Sequence, residues 1–379
     1  PMRLRIRHTT TYDYATPVAA STQVVRLTPR SDPGQRVLEW EVRLEVLAPA
    51  SRQPHPLRLG MPSLPIAAPI SRPTALTPHV HDGSGSVGAS GTTHPSGTAT
   101  GTLGGTRSTW CRADADGREA DDRPFLAVPR LATGDDGYGN RTHLVSLVVP
   151  HVATRLVATG IVQTSPAHDG AHDHPPSLPP SYWLRHTRHT GHGGEVDRFV
   201  HESGLTTWHG RDASWVTGHL DDLMHRVRER VDFQVGATDV LTTADEALRR
   251  GAGVCQDHAH VMIAVARTLG IPARYVSGYL WPGHHVAAQA SHAWVDLHVP
   301  GLGWVAFDPA NACRPTEAYV RVAVGLDYFD APPTRGVRRG GPRHEELGVT
   351  VEIDPVVGIL PGRAGQAGQL SLRSPDVPT

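Results

Sequence analysis

Apolar and polar residues alternate one for one at the start of the chain. Met2, Leu4 and Ile6 alternate with Arg3, Arg5 and Arg7, and a period of two predicts a β-strand. The same alternation recurs at Gln23–Leu27 and across Val37–Leu47, where Trp40, Val42 and Leu44 share one face. Strands are also predicted at Arg141–Val149 and Arg155–Val162, with Pro and Gly as punctuation. Residues 1–164 therefore read as an antiparallel, sandwich-like or barrel-like β domain. Residues 82–108 are nearly all Gly, Ser, Thr and Ala, a composition unable to bury enough apolar area to offset ordering entropy. About residues 50–130 are expected to be an insertion with a disordered centre, and 165–194, rich in His and Pro, a linker.

The period changes after the linker. Val216, Leu220, Leu223, Val227 and Val231 lie on one helical stripe within Trp215–Val231. Thr243-Ala-Asp-Glu246 is a capping box that opens a short helix ending at Gly251. Cys255–Leu269 is a third helix, with Gly270 at its C-cap and Pro272 barring continuation. Strands follow at Arg274–Leu280, Ala290–Val299 and Gly303–Asp308. Residues 195–335 are expected to form an α+β core, and 336–379 a C-terminal strand and flexible tail.

Composition narrows the function classes. The 379 residues carry a formal net charge of -1, which argues against partners held by bulk electrostatics, such as nucleic acid or an anionic membrane. All 36 basic residues are Arg, a bias attributed to coding rather than chemistry. Three cysteines, Cys111, Cys255 and Cys313, cannot build a disulfide framework, and a reducing compartment is expected. No apolar run approaches the ~20 residues that span a bilayer, and the first residues lack the apolar stretch of a signal peptide. The expectation is a soluble cytoplasmic protein.

Candidate chemistry gathers around Gly251-Ala-Gly-Val-Cys-Gln-Asp-His-Ala-His260. Cys255 sits in the first turn of its predicted helix, where unpaired N–H groups and the dipole favour a thiolate. A nucleophilic thiol needs a base and a group to orient that base. His292 heads the alternating strand His292-Ala-Trp-Val-Asp-Leu-His298, and Asp308 ends the next one. If Val299-Pro-Gly301 is the turn, His292 lies opposite Asp308 on the same face; an even-length turn would separate them. Cys, His and Asp then follow nucleophile–base–orienter logic.

The segments Gly253-Val-Cys255-Gln-Asp-His-Ala-His260, Gly270-Ile-Pro-Ala-Arg-Tyr-Val-Ser-Gly-Tyr279, Ser291-His-Ala-Trp294 and Gly303-Trp-Val-Ala-Phe-Asp-Pro-Ala-Asn311 resemble bacterial transglutaminase-like proteins. The opening His8-Thr-Thr-Thr-Tyr-Asp-Tyr14, Leu27-Thr-Pro-Arg30 and Asp136-Gly-Tyr-Gly-Asn140 resemble the β-rich domain that precedes the core in that family. The resemblance implies a papain-like cysteine fold and a catalytic triad of Cys255, His292 and Asp308. It also implies a thioacyl-enzyme formed on a peptide or glutamine-type amide, resolved by water (peptidase or amidase) or by an amine (acyltransferase). No calcium-loop pattern appears, which favours hydrolysis.

Other residues carry weaker expectations. Gln256 and Asp257 adjoin the nucleophile, either as ordinary helix-start polarity or as positioning groups. Trp294 and Tyr279 are core residues or walls of the acyl cleft. Cys313 is expected to pack, and Cys111 to be incidental. The 24 histidines raise a metal reading, but His258 and His260 point to different sides of a helix. The linker histidines and His284-His285 lack carboxylate or Cys ligands at fixed spacing. No metal and no cofactor are expected, and the expected partner is a peptide or protein substrate. The competing function is a non-catalytic protein-interaction module on the same fold.

Overall fold

The computed structural model describes residues 1–49, 125–128, 131–166, 178–204, 210–283, 291–342 and 345–356. The expected disordered centre of the insertion, the frayed C-terminal tail, Cys111 and the His284-His285 pair lie outside these residues.

In chain order, β1 is Met2–Thr28, β2 Gln35–Leu47, β3 Leu126–Ala127, β4 Ala132–Asp135, β5 Arg141–Leu147 and β6 His151–Thr164. The helical segment holds α1 (Gly194–Ser203), α2 (Ala213–Arg230), β7 (Asp232–Phe233), α3 (Ala244–Arg250), β8 (Ala252–Gly253) and α4 (Cys255–Thr268). Then come β9 (Ala273–Leu280), β10 (His292–Val299), β11 (Gly303–Phe307), β12 (Tyr319–Gly325), β13 (Thr334–Gly340) and β14 (Glu346–Pro355). The whole is an α+β fold with a transglutaminase-like, papain-like core.

The N-terminal antiparallel sheet runs β3-β2-β6-β1-β5-β4. The two alternating segments Met2–His8 and Gln23–Leu27 are the two ends of one strand. Its register breaks between Asp13 and Val18, so the first half lies between β6 and β14 and the second between β5 and β13. Such a break lets one strand serve two halves of a curled sheet. The chain's C-terminal strands thus complete its N-terminal sheet.

The core sheet is antiparallel in the order β11-β10-β9-β12. One face meets α4: Val295, Leu297, Ala273 and Tyr275 pack with Ala259, Met262, Ile263 and Ala266, all buried. Residues that alternate with these turn Trp294, Trp304 and Val276 to the opposite face, against Trp183. That indole belongs to a 3-10 turn, Pro180–Leu184, within the stretch expected as linker. Buried Arg267 holds the stretch to the core, donating to the Trp183 carbonyl at 2.9 Å and the Thr190 hydroxyl at 2.7 Å. Burying each large apolar side chain contributes about 1.5–3 kcal/mol, so this two-faced packing dominates the stability of the platform under the site.

Candidate active site

The start of α4 is fixed by several local devices. Gly251, at φ 68, closes α3, and the expected Thr243–Glu246 capping box is present there. Val254 occupies the N-cap of α4 and has no side-chain acceptor. Asp257, three residues on, accepts the Val254 N–H at 2.8 Å and the Thr238 hydroxyl at 2.6 Å. A Cβ on Gly253 would lie 2.6 Å from the Cβ of Asp257, so only glycine permits this approach. Half-buried Cys255 is thereby set at the first turn, with Gln256, also half-buried, beside it. Burial raises the pKa of Asp257, against its hydrogen bonds from Thr238 and Val254.

His292 Nε2 lies 2.6 Å from Asp308 Oδ2. The register differs from expectation by two residues: Val299 pairs Gly303, which places Asp308 opposite Trp294 rather than His292. The turn is Pro300-Gly-Leu302, with Gly301 at φ 83 and Gly303 at φ 81, one residue later than the hydrophobic pattern suggests. Its length stays odd, so His292 and Asp308 keep the same face and meet on a diagonal.

Asp308 is fully buried and receives five donors. Oδ2 accepts from His292, from Asn311 Nδ2 at 2.7 Å and from the Tyr319 hydroxyl at 2.8 Å. Oδ1 accepts the backbone N–H groups of Ala310 at 3.0 Å and Asn311 at 3.2 Å. Reciprocal backbone bonds between Asp308 and Cys313 close the loop that presents Asn311, and Ala312 within it holds a left-handed φ of 49. Burial opposes the charge on Asp308, but the bonds to His292, Asn311 and Tyr319 lower its pKa overall. An ionised carboxylate only accepts, so Nε2 carries the proton. In the neutral imidazole the lone pair then sits on Nδ1.

Cys255 lies near enough to the same imidazole to act on its proton affinity. Burial alone would lower the pKa of His292. Asp308 and Cys255 overcome it, and the value is raised from 6.5 to about 10. The structure therefore brings Cys255, His292 and Asp308 together. Buried Trp294 lies parallel to His292 at 6.2 Å between ring centroids, and its indole N–H has no partner among the described residues. Tyr279 is not brought there. It is buried against the N-terminal sheet, its hydroxyl 3.1 Å from His8 Nδ1. Tyr319 and Asn311 join the site without having been singled out. Asn311 ended a quoted motif, whereas Tyr319 follows a Pro-containing loop and carried no local signal.

Among the described residues no group of three His, Cys, Asp or Glu side chains is placed to hold a metal ion. Among the same residues no helix is long and apolar enough to cross a membrane.

A thiol at a helix start facing an imidazole and a carboxylate on adjacent strands is the arrangement of a papain-like cysteine enzyme. The comparisons agree with this class. The profile of the transglutaminase-like superfamily matches residues 211–309, and that of the bacterial transglutaminase-like N-terminal region matches residues 4–56. An uncharacterized protein of Mycobacterium tuberculosis is 30% identical over 247 residues, 60% of this chain and 78% of the relative. A protein-glutamine gamma-glutamyltransferase of Pseudomonas aeruginosa is 36% identical over 83 residues, 20% of this chain and 12% of that enzyme. The crystal structure of a candidate cysteine protease from Cytophaga hutchinsonii shares the fold at a TM-score of 0.56 and 16% identity, covering 94% of this chain and 91% of that one. The chain belongs to the transglutaminase-like superfamily, with the bacterial transglutaminase-like N-terminal region before its core. At the level of the family this is a group of cysteine-dependent enzymes of amide bonds.

Proposed function

We propose that the chain is a cysteine enzyme that opens peptide or glutamine-type amides through a thioacyl intermediate on Cys255. His292 takes up the thiol proton before the attack, in keeping with its raised pKa, and the sulfur then attacks the amide carbonyl carbon. The imidazolium returns that proton to the leaving nitrogen as the C–N bond breaks, releasing an amine or ammonia. Water then attacks the thioester, His292 accepts its proton, and the acid departs as the C–S bond breaks. An amine in place of water gives transamidation. Asp308 keeps the imidazole oriented and steadies its charge.

One observation supports this reading above the others: a single imidazole bonded to Asp308 at 2.6 Å and near enough to Cys255 for that side chain to raise its pKa. Mass spectrometry of a glutamine peptide with and without added amine tests it. A gain of the amine mass less ammonia marks transfer, a gain of about one mass unit marks deamidation, and fragments mark peptidase action. Cys255→Ala is expected to abolish whichever product forms while leaving the melting temperature unchanged. Turnover by that variant at the wild-type rate would overturn the reading and leave the interaction-module alternative.

A further inference from the structure

Ten large hydrophobic side chains are exposed among the described residues, and four of them fall between positions 233 and 241: Phe233, Val235, Val240 and Leu241. Single exposed apolar residues are ordinary, but a cluster is not. Phe233, the first of the four, lies beside the segment that leads into Cys255. Strand β7 pairs in parallel with β8, setting Phe233 against Gly253, two residues before the nucleophile.

The exposure is not slack in a loose loop. The Gln234 N–H donates to the Gly253 carbonyl at 2.8 Å, the Thr238 hydroxyl to Asp257 Oδ2 at 2.6 Å, and Arg250 Nη1 to the Ala237 carbonyl at 3.0 Å. The Phe233 ring stacks on His258 at 6.1 Å, and His258 Nδ1 lies 2.8 Å from the Val254 carbonyl. Every one of these tethers ends in the loop before α4 or in α3 and α4 themselves. Asp239 bears the one formal charge between 233 and 241, and its Oδ1 already accepts the Leu241 N–H at 2.9 Å.

We propose that Phe233, Val235, Val240 and Leu241 form a rigid apolar wall that receives an uncharged, hydrophobic stretch of a peptide substrate next to the amide that Cys255 attacks. Neighbouring strands lie about 4.8 Å apart, and an extended peptide advances about 3.3 Å per residue. Side chains one or two residues from a carbonyl held at the sulfur therefore fall over the Phe233 strand. The wall offers them apolar area, and the exposed carboxylates of Asp232 and Asp239 beside it disfavour acidic neighbours. The inference rests on Cys255 as the nucleophile and adds the substrate class.

The full-length Cys255→Ala variant, which holds peptide without turnover, provides the test. Calorimetric titration compares acetyl-Leu-Phe-Gln-Gly-amide with acetyl-Asp-Asp-Gln-Gly-amide. The apolar peptide is expected to bind at least about tenfold more tightly. Adding Val235→Glu and Leu241→Glu is expected to erase that preference with the melting temperature unchanged, because both side chains already face water. Equal binding of the two peptides, or a preference that survives the glutamates, overturns the proposal. So does a fall in melting temperature or a change in oligomeric state, either of which means that another part of the chain or a second copy covers the patch. Alkylation of the wild-type protein by iodoacetamide is scored separately. An inert Cys255 beside an intact peptide preference would sink the catalytic reading and keep the surface.

Discussion

Burial by itself would leave the His292 imidazole neutral, since a charge in a dry site loses its hydration. Its pKa is instead raised to about 10, because Asp308 and Cys255 favour the protonated ring. The consequence for stability has a definite sign. A raised imidazole contributes fully below its ordinary value of 6.5, and the contribution is lost as pH rises through about 10. The depressed Asp308 carboxyl contributes above its ordinary 3.8 and is lost as pH falls through its lowered value. Asp308→Asn keeps the shape, removes the charge and can present its amide to the imidazole. The His292 pKa is then expected to drop from about 10 to near or below 6.5, read by NMR titration of the imidazole nitrogens. Turnover should fall by about 10²–10⁴-fold. Tyr319→Phe removes one of the five donors to Asp308 and should lower turnover by less than about tenfold. An unmoved imidazole titration in Asp308→Asn would show that the carboxylate does not hold the proton.

Helix α4 places Cys255, and Asp257 holds its first turn by accepting from Val254 and Thr238. Asp257→Ala leaves both donors bare and is expected to cost about 1–2 kcal/mol of stability in a urea melt. It should also slow alkylation of Cys255. Asp257→Asn retains an accepting oxygen and should recover most of both; a loss as large as that of alanine would mean the charge matters rather than the cap. This arrangement was half legible. The sequence offers an acid at the third helical position, but Val254 cannot reciprocate, so no capping box announces it. Helix α1 was not legible at all, because its cap is tertiary. Asp245 of α3 accepts the N–H groups of Glu195 at 2.8 Å and Val196 at 3.3 Å, across 50 and 49 residues of sequence. Strand β12 was hidden by an irregularity between Arg321 and Ala323, which breaks the alternation that exposes strands in a sequence. The pairing of His292 with Asp308, by contrast, was legible, because the parity of one short turn decides whether the two share a face, and parity survived the two-residue slip in register.

The two sheets are joined by residues whose local patterns say nothing of that task. Asn140 copies a strand: its amide donates to the Val324 carbonyl at 2.7 Å and accepts the Val324 N–H at 2.8 Å. Gln35 does the same at Arg321, whose guanidinium pairs with buried Asp296. Tyr138 reaches Asp330 at 2.7 Å. These contacts explain in physical terms what Asp136-Gly-Tyr-Gly-Asn140 does for the core: with Gln35 it fastens the edge strand β12, which supplies Tyr319 to Asp308. His8 sits at this junction, with Nδ1 toward the Tyr279 hydroxyl and Nε2 2.9 Å from Thr10 Oγ1. Burial lowers its pKa from 6.5 to about 4. A lowered imidazole means that the unfolded chain binds more protons than the native one between those values, so stability declines as pH falls from 6.5 toward 4 and levels off below. The loss from this one group amounts to about 3 kcal/mol at the acid end. Buried His260, lowered to about 3 by its own desolvation, extends the decline further. His8→Gln, which cannot take up a proton, is expected to flatten urea stability between pH 6.5 and 4 relative to wild type. An unchanged slope in that variant would place the acid sensitivity elsewhere than the seam between the sheets.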